Sequence, residues 1–218
     1  MEPKFWHDRW HKNEIGFHQE TGNPHLRAFW ASLGLTARHH VFVPLCGKSR
    51  DMIWLAEQGH TVLGVELSEI AVRDFFREQA LTPKKSSAGP FEVWEIDELR
   101  LLCGDFFDLQ ATDLSDVDGV YDRASLIALP EDMRKGYVRH LLKILPPDAP
   151  LLLVTLEYPQ ETMNGPPFSV HEEEVHALYG ARYAVELLKT HDGLAESPRF
   201  RDRGLPFMHE KVFHLRPR

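Results

Sequence analysis

Short apolar runs alternate with amphipathic segments along most of the chain. Apolar runs bounded by turn residues predict buried strands, and apolar residues spaced three or four apart predict helices. The alternation favours an α/β sandwich with a mostly parallel central sheet. The predicted core strands are 41–43, 61–65, 91–96, 99–103, 119–123 and 151–156. The predicted helices are 25–33, 50–58, 69–80, 130–145 and one that ends near residue 180.

Polar residues and proline mark where several of these helices begin. Ser49 and Ser68 stand at N-cap positions, where a hydroxyl can accept a backbone N–H. Ser169 with Glu172 has the spacing of a capping box. Pro130 suits a first helical turn, because its missing N–H would be unpaired there in any case.

The remaining segments define the edges of the predicted sheet. The polar stretch 82–90 is interpreted as a connector. Residues 183–190 and 207–215 alternate well enough to form a final strand pair, with a mobile surface loop over 191–206 between them. We therefore expect an antiparallel edge at the C-terminus.

An aromatic N-terminal segment precedes the first core strand. Trp6, Trp10 and Phe17 could pack on the sheet or form a lid over a cleft, and the pattern does not decide between the two. Residues 1–39 are interpreted as a helical cap or lid and residues 40–218 as a Rossmann-like core. Together they make a single predicted domain, and 218 residues is an ordinary length for one domain.

The stretch that follows the first strand predicts a nucleotide-binding unit. The strand 41–43 leads into the turn Pro-Leu-Cys-Gly at 44–47, then a helix, then a second strand that ends in Glu66. In such βαβ units the turn approaches the cofactor and the acid accepts the ribose hydroxyls. The alternative for Glu66 is a carboxylate that interacts only with the following helix N-terminus.

The turn does not fit the two common phosphate-binding motifs. A P-loop requires glycine at position 42, where Phe42 stands, and a dinucleotide fingerprint requires three glycines, where the turn has Gly47 alone. S-adenosylmethionine needs no phosphate at this turn and remains a candidate. Residues 45–47 would then contact its aminoacyl group, Glu66 its ribose, and Asp105 with Phe106 its adenine.

Composition excludes several other functions. A formal charge of −8 argues against nucleic-acid binding, which needs a basic surface. The chain has no apolar span long enough for a membrane helix and no signal-peptide core at its start, so we expect a cytoplasmic protein without membrane contact. Its two cysteines show no CxxC spacing, so no disulfide framework is predicted and the thiols are expected to be reduced.

Histidines and cysteines do not form a recognisable catalytic or metal motif. His171 and His176 are five residues apart, whereas the H-E-x-x-H motif requires four. No metal site is therefore predicted. Cys46 has no accompanying base at a diagnostic spacing and is interpreted as a small turn residue.

Six segments, in order along nearly the whole chain, resemble the thiopurine S-methyltransferase family. This chain and the family share a Pro-Leu-Cys-Gly turn where other class I methyltransferases have a glycine triplet. The segments are Trp6…Trp10…Phe17-His18-Gln19-Glu20, Val43-Pro44-Leu45-Cys46-Gly47-Lys48, Gly64-Val65-Glu66-Leu67-Ser68-Glu69, Phe107-Asp108-Leu109, Asp122-Arg123 and Gly165-Pro166-Pro167-Phe168.

The resemblance implies a class I, Rossmann-like methyltransferase that uses S-adenosylmethionine and releases S-adenosylhomocysteine. It also implies a role for individual residues at the cofactor and the methyl acceptor. The implied cofactor contacts are Trp10 closing over the ligand, Leu45 at the aminoacyl group, Glu66 at the ribose, and Asp105 and Phe106 at the adenine. Arg123 is implied at the cofactor–substrate junction and Phe17 at the substrate. Animal members carry serine and an aliphatic residue in place of Asp105 and Phe106.

The implied acceptor is a small, soft nucleophile. Thiopurines and other aromatic or heterocyclic thiols fit, and family members in bacteria are associated with selenium and tellurium compounds. Arg123 would favour the ionised acceptor and act in catalysis, unless it only pairs locally with Asp122. The alternative is a cofactor-binding or metalloid-handling protein whose thiopurine activity is incidental. A monomer is the expectation.

Overall fold

The computed structural model describes residues 2–16, 18–19 and 21–218, and in this part of the chain a nine-stranded sheet forms the centre of the molecule. The strands in chain order are β1 (His40–Val43), β2 (Thr61–Glu66), β3 (Lys84–Ala88), β4 (Phe91–Ile96), β5 (Leu99–Cys103), β6 (Gly119–Arg123), β7 (Leu151–Glu157), β8 (Tyr183–Asp192) and β9 (His209–Pro217). Their order across the sheet is β3-β4-β5-β2-β1-β6-β7-β9-β8.

The five central strands are parallel and both edges are antiparallel. Strands β5, β2, β1, β6 and β7 pair in parallel. On one side β3 and β4 extend the sheet antiparallel to β5, and on the other β9 and β8 extend it beyond β7. The predicted fold class, a mostly parallel sheet with an antiparallel C-terminal edge, is confirmed.

Helices cover both faces of this sheet, which is why its central strands are apolar on both sides. Leu26, Met52 and Phe75 belong to the core on one face, and Tyr137 and Val175 to the core on the other. The helices are α1 (Pro3–His11), α2 (Pro24–Phe29), α3 (Asp51–Glu57), α4 (Glu69–Glu78), α5 (Ser125–Ala128), α6 (Glu131–Ile144), α7 (Glu172–Tyr179) and α8 (Pro198–Arg201). A 3₁₀ turn over Trp30–Leu33 continues α2.

The interpretation of residues 82–90 as a connector is wrong, because β3 lies within them. This strand is at the sheet edge and most of its side chains are exposed, so no apolar alternation marks it. The Lys85 ammonium lies 3.3 Å from the centre of the Trp94 ring, a cation–π contact with the neighbouring strand.

Two of the three predicted serine caps are also wrong. Helix α7 has His171 at its N-cap, and the Ser169 hydroxyl instead accepts the backbone N–H of Tyr158 at 3.0 Å. Helix α3 begins after Arg50, one residue later than Ser49 would place it. Only the Ser68 hydroxyl caps as predicted, by accepting the N–H of Ala71 at 3.4 Å.

Residues 191–206 are more than a surface loop. They contain α8, and the side chains of Phe200 and Leu205 are buried in a small cluster with Met163 and Met208. This segment therefore packs against the loop that follows β7. Among the described helices, none is long and apolar enough to cross a membrane.

Candidate active site

A cavity of about 1160 Å³ opens at the carboxyl ends of β1, β2 and β6. The chain passes from β1 to β2 on one side and later returns to β6 on the other, so the strand order reverses here. Open α/β sheets bind ligands at such a reversal. The walls come from the turn after β1, the end of β2, helix α1, and the loop between β7 and α7.

The turn after β1 has an unusual backbone. Leu45 has φ +44° and Gly47 has φ +54°, both in the left-handed region. A Cβ atom at Gly47 would lie 3.4 Å from Cζ2 of Trp10, so the indole packs directly on the glycine backbone. The absent side chain lets the N-terminal helix come down onto the turn.

Glu66 lies at the floor of this cavity with both carboxylate oxygens held by backbone groups. Its Oε2 accepts the N–H of Gly47 at 2.9 Å, and its Oε1 accepts the N–H of Ser68 at 2.8 Å. The side chain is 6 % exposed. Burial raises the pKa of Glu66 from 4.5 to about 7, although the backbone bonds from Ser68, Gly47 and Leu67 oppose the shift.

Asp105 and Phe106, the predicted adenine contacts, both line the same cavity. The Asp105 carboxylate accepts the N–H of Phe107 at 2.9 Å, which fixes the short helix that follows. Phe106 is buried against Tyr137, with the ring centres 4.8 Å apart. Leu67, which was not predicted as a site residue, also lies in the wall next to Glu66. Its position directly after Glu66 in the sequence is the only feature that could have indicated it.

The aromatic N-terminal segment forms part of the wall of the large cavity. Trp6, Trp10 and Arg9 on α1 line the cavity, and Trp10 is 6 % exposed. Phe17, the predicted substrate contact, lies outside the described residues.

Arg123 lines a different, smaller cavity of about 530 Å³ and is absent from the wall of the large one. Its Nε donates to Asp51 Oδ2 at 2.9 Å, and its Nη2 to the Ser49 hydroxyl at 3.3 Å. Asp51 is 1 % exposed and also accepts the Tyr121 hydroxyl at 3.1 Å. The arginine is therefore held by a buried carboxylate 72 residues away in sequence.

Asp122 is not the partner of Arg123. It lies on the opposite face of the sheet, where its carboxylate accepts the Tyr137 hydroxyl at 2.8 Å. Burial raises the pKa of Asp122 to about 6. The alternative of a local pair between neighbours at 122 and 123 is thus excluded.

The two cavities are adjacent. Ala124 and Ile127, at the start of α5, line both of them, and so do Pro167 and Phe200 on the opposite side. A ligand at Glu66 and a second molecule at Arg123 would therefore be neighbours that contact the same few side chains. That arrangement suits a transfer between two small molecules.

Neither cysteine is poised as a nucleophile. Burial holds the pKa of the Cys46 thiol well above its usual range, and burial also raises the pKa of Cys103 to about 11. Among the described residues, no group of three or more histidine, cysteine, aspartate or glutamate side chains could hold a metal ion.

Sequence reasoning missed Asp51, Tyr137 and the loop that closes the far wall of the large cavity, Thr162 to Pro167. Asp51 stood in the central motif, but nothing in its spacing indicated an arginine partner. The loop carried the family-like Gly-Pro-Pro-Phe segment, to which no role was assigned.

Comparison with known proteins gives one family. A family model described as thiopurine S-methyltransferase matches residues 1–218. The thiopurine S-methyltransferase of Nitrosospira multiformis is 51 % identical over 218 residues, which cover 100 % of this chain and 99 % of the relative. That of Azotobacter vinelandii is also 51 % identical, over 100 % of both chains.

Solved structures with low sequence identity share the fold. The 1,6-didemethyltoxoflavin-N1-methyltransferase of Burkholderia thailandensis, solved with S-adenosylhomocysteine, has a TM-score of 0.66 and 17 % identity over 99 % of this chain and 86 % of its own. Phosphoethanolamine N-methyltransferase 2 of Haemonchus contortus, solved with S-adenosyl-L-methionine, has a TM-score of 0.67 and 9 % identity over 88 % of this chain and 51 % of its own.

The match over the full chain, the half-identical relatives and the fold lead to one conclusion, and the resemblance noted in the sequence is confirmed. The chain belongs to the thiopurine S-methyltransferase family, and it is an S-adenosylmethionine-dependent enzyme of that type.

Proposed function

We propose that the enzyme transfers the methyl group of S-adenosylmethionine to the sulfur of a thiopurine or another aromatic or heterocyclic thiol. The observation that carries this proposal is the adjacency of the two cavities, one built around Glu66 and one around Arg123. Membership of the family supports the reaction, and the two adjacent cavities support separate sites for the two reactants.

The large cavity fits the cofactor. Glu66 offers a buried carboxylate whose oxygens are oriented by two backbone N–H groups, as a ribose diol requires. Leu45 and Gly47 bring backbone close to the aminoacyl end, and Asp105 with Phe106 borders the adenine end. In this proposal Trp10 closes over the cofactor from above.

The cofactor supplies an already activated methyl group on a sulfonium centre. The protein's task is to hold a sulfur nucleophile in line with that group and to exclude water. Aromatic rings of α1 suit the positive centre, because the face of a ring attracts a cation. Residues 1–39 would act as the lid and residues 40–218 as the core of a single domain.

The smaller cavity fits the acceptor, and Arg123 is the residue we assign to catalysis there. Asp51 holds its Nε, so the guanidinium keeps other N–H groups for a ligand. A thiol beside this cation would ionise more readily than in water. The acceptor sulfur gains the methyl group as the bond to the sulfonium breaks, and the thiol proton passes to solvent without a dedicated base. Phe17 would complete the acceptor contacts.

The experiment is a calorimetric titration of S-adenosylhomocysteine into the wild type and Glu66→Ala, followed by an assay with methyl-labelled cofactor and 6-mercaptopurine. We expect binding that Glu66→Ala weakens sharply and a labelled methyl thioether as product. No binding to the wild type would refute the cofactor assignment. Binding without labelled product would refute the thiopurine acceptor, and other thiols as well as selenium or tellurium compounds would then be assayed. A monomer in the cytoplasm stays a prediction.

A further inference from the structure

The smaller cavity contains a negative charge as well as the positive charge of Arg123. Glu210 on β9 lines it together with Arg123. The register of the sheet explains this arrangement: Arg123 pairs with Val154, and Leu156, two residues further along β7, pairs with Glu210. Residues two apart on a strand share a face, so both charged side chains extend from the same face of the sheet.

A fixed partner holds the carboxylate of Glu210. The Nε2 of His25, on α2, lies 2.8 Å from Glu210 Oε2, and the glutamate side chain is 23 % exposed. Burial alone would raise the pKa of Glu210, but the bond from His25 and the nearby positive charges outweigh it, so the pKa lies below its ordinary value. The group is therefore an ionised hydrogen-bond acceptor at neutral pH.

The remaining charges around this cavity disfavour a second anionic group in addition to the ionising sulfur at Arg123. Asp51 already compensates Arg123 at 2.9 Å. Glu196 lies in the wall as well and approaches His191 to 3.2 Å. A molecule in the cavity thus meets one guanidinium that Asp51 already compensates and two carboxylates that each lie beside a histidine.

We propose that Glu210 determines acceptor specificity by accepting a hydrogen bond from an N–H group next to the reacting sulfur. The inference rests on the proposed function, since it assumes a thiol in the smaller cavity. It adds a chemical class: a neutral heterocyclic thiol that carries a ring N–H is preferred over a thiol without a donor and over a thiol that carries its own carboxylate.

The geometry divides recognition between the two charged groups. Arg123 faces the sulfur, where negative charge develops as the thiol ionises, and Glu210 faces the donor edge of the ring. His25 contacts only Oε2 of Glu210, and an acceptor that displaces water from Oε1 without offering a donor leaves that oxygen without a hydrogen bond. This cost in free energy penalises acceptors that lack the N–H group.

The test compares three acceptors in competition assays: 6-mercaptopurine, benzenethiol and 4-mercaptobenzoate. The quantity measured is the ratio of kcat/KM values between acceptors within one variant, so a loss of folded protein cancels. For Glu210→Gln we expect the preference for 6-mercaptopurine over benzenethiol to fall about tenfold or more, the usual effect of a charge-assisted hydrogen bond. The relative rate with 4-mercaptobenzoate should rise.

Two further variants complete the design. Glu210→Asp keeps the charge and should retain part of the preference. Glu186→Gln is the control. Glu186 is an exposed residue of β8 that forms an ion pair with Arg216 of β9, and its replacement should leave every ratio unchanged.

The outcomes separate the two proposals. Wild-type ratios retained in Glu210→Gln would overturn the inference while the thiol methyltransferase activity stands. If the kcat/KM values also fall equally for all three acceptors, so that the ratios are still those of the wild type, Glu210 acts only as the structural partner of His25. A wild type that methylates none of the thiols would instead refute the proposed function.

Discussion

The backbone N–H of Gly47 donates to Glu66 Oε2 across 2.9 Å, which joins the turn after β1 to the acid at the end of β2. The same bond orients the carboxylate and sets the height of the turn above it. Because Trp10 packs on Gly47, the N-terminal helix is positioned by the same pair. This one contact thus connects three parts of the large cavity's wall: the turn after β1, the end of β2 and helix α1.

Replacing Glu66 by glutamine should weaken cofactor binding about 10- to 100-fold, or ~1.5–3 kcal/mol, which is the usual value of a hydrogen bond to a charged group. Calorimetry with S-adenosylhomocysteine measures it. Glu69→Gln is the matched control, since Glu69 is an exposed carboxylate three residues along on α4. Equal affinity of wild type and Glu66→Gln would contradict the ribose assignment.

Glu66 should also make the stability of the ligand-free enzyme depend on pH. Its folded pKa of about 7 lies above the ordinary 4.5, so the folded state retains the proton over this interval and the unfolded state does not. The resulting contribution to stability is complete below 4.5 and is lost as pH rises through 7. Urea unfolding from pH 5 to 8 should show the wild type losing stability relative to Glu66→Gln. Parallel pH profiles would contradict the shift.

Asp51→Ala should destabilise the fold by about 3–5 kcal/mol, because it leaves the mostly buried guanidinium of Arg123 without its carboxylate. Denaturant unfolding measures the change. The exposed pair of Glu186 and Arg216 is the comparison, and Glu186→Gln should cost less than about 1 kcal/mol. Similar losses in both variants would show that the Asp51 pair is not the buried anchor described above.

Arg123→Lys should reduce kcat/KM for the thiol about tenfold or more, since a single ammonium cannot bind Asp51 and a thiolate with the same geometry. Cofactor affinity should not change, because Arg123 lines only the smaller cavity. Steady-state kinetics across pH with Arg123→Lys and Arg123→Ala measures this. Unchanged turnover with an unchanged pH profile would remove Arg123 from the mechanism.

The N-terminal helix should become more resistant to protease when the cofactor binds. Trp6, Arg9 and Trp10 line the cavity from α1, so a ligand in it adds contacts to that helix. Limited trypsin digestion with and without S-adenosylhomocysteine, followed by mass spectrometry of the first 20 residues, measures protection. Equal cleavage in both samples would argue against a closing lid.

Local chemistry explains what the sequence predicted and what it did not. The parallel core and the turn at Gly47 follow from apolar runs and from one glycine, both of which act over a few residues. Strand β3 was missed because an exposed edge strand needs no apolar side. Ser169 was misassigned because its hydroxyl is bonded to the end of β7, a partner that spacing does not reveal.

The residues of the candidate site were likewise predictable only where local sequence or the family resemblance indicated them. The positions of Glu66, Leu45 and Asp105 follow from strand ends and from the family resemblance. The pair of Arg123 with Asp51 and the carboxylate of Glu210 depend on contacts between distant segments, which pack only once the sheet has formed.

The protonated state of both cysteines has a consequence for an enzyme that handles an alkylating reagent. Cys46 lies between Leu45 and Gly47, two residues of the large cavity's wall, yet its thiol is buried and its pKa lies well above the usual range. A thiol that does not ionise is a poor competitor for the methyl group. The catalyst is thereby protected from modifying itself, although it activates the same functional group on its acceptor.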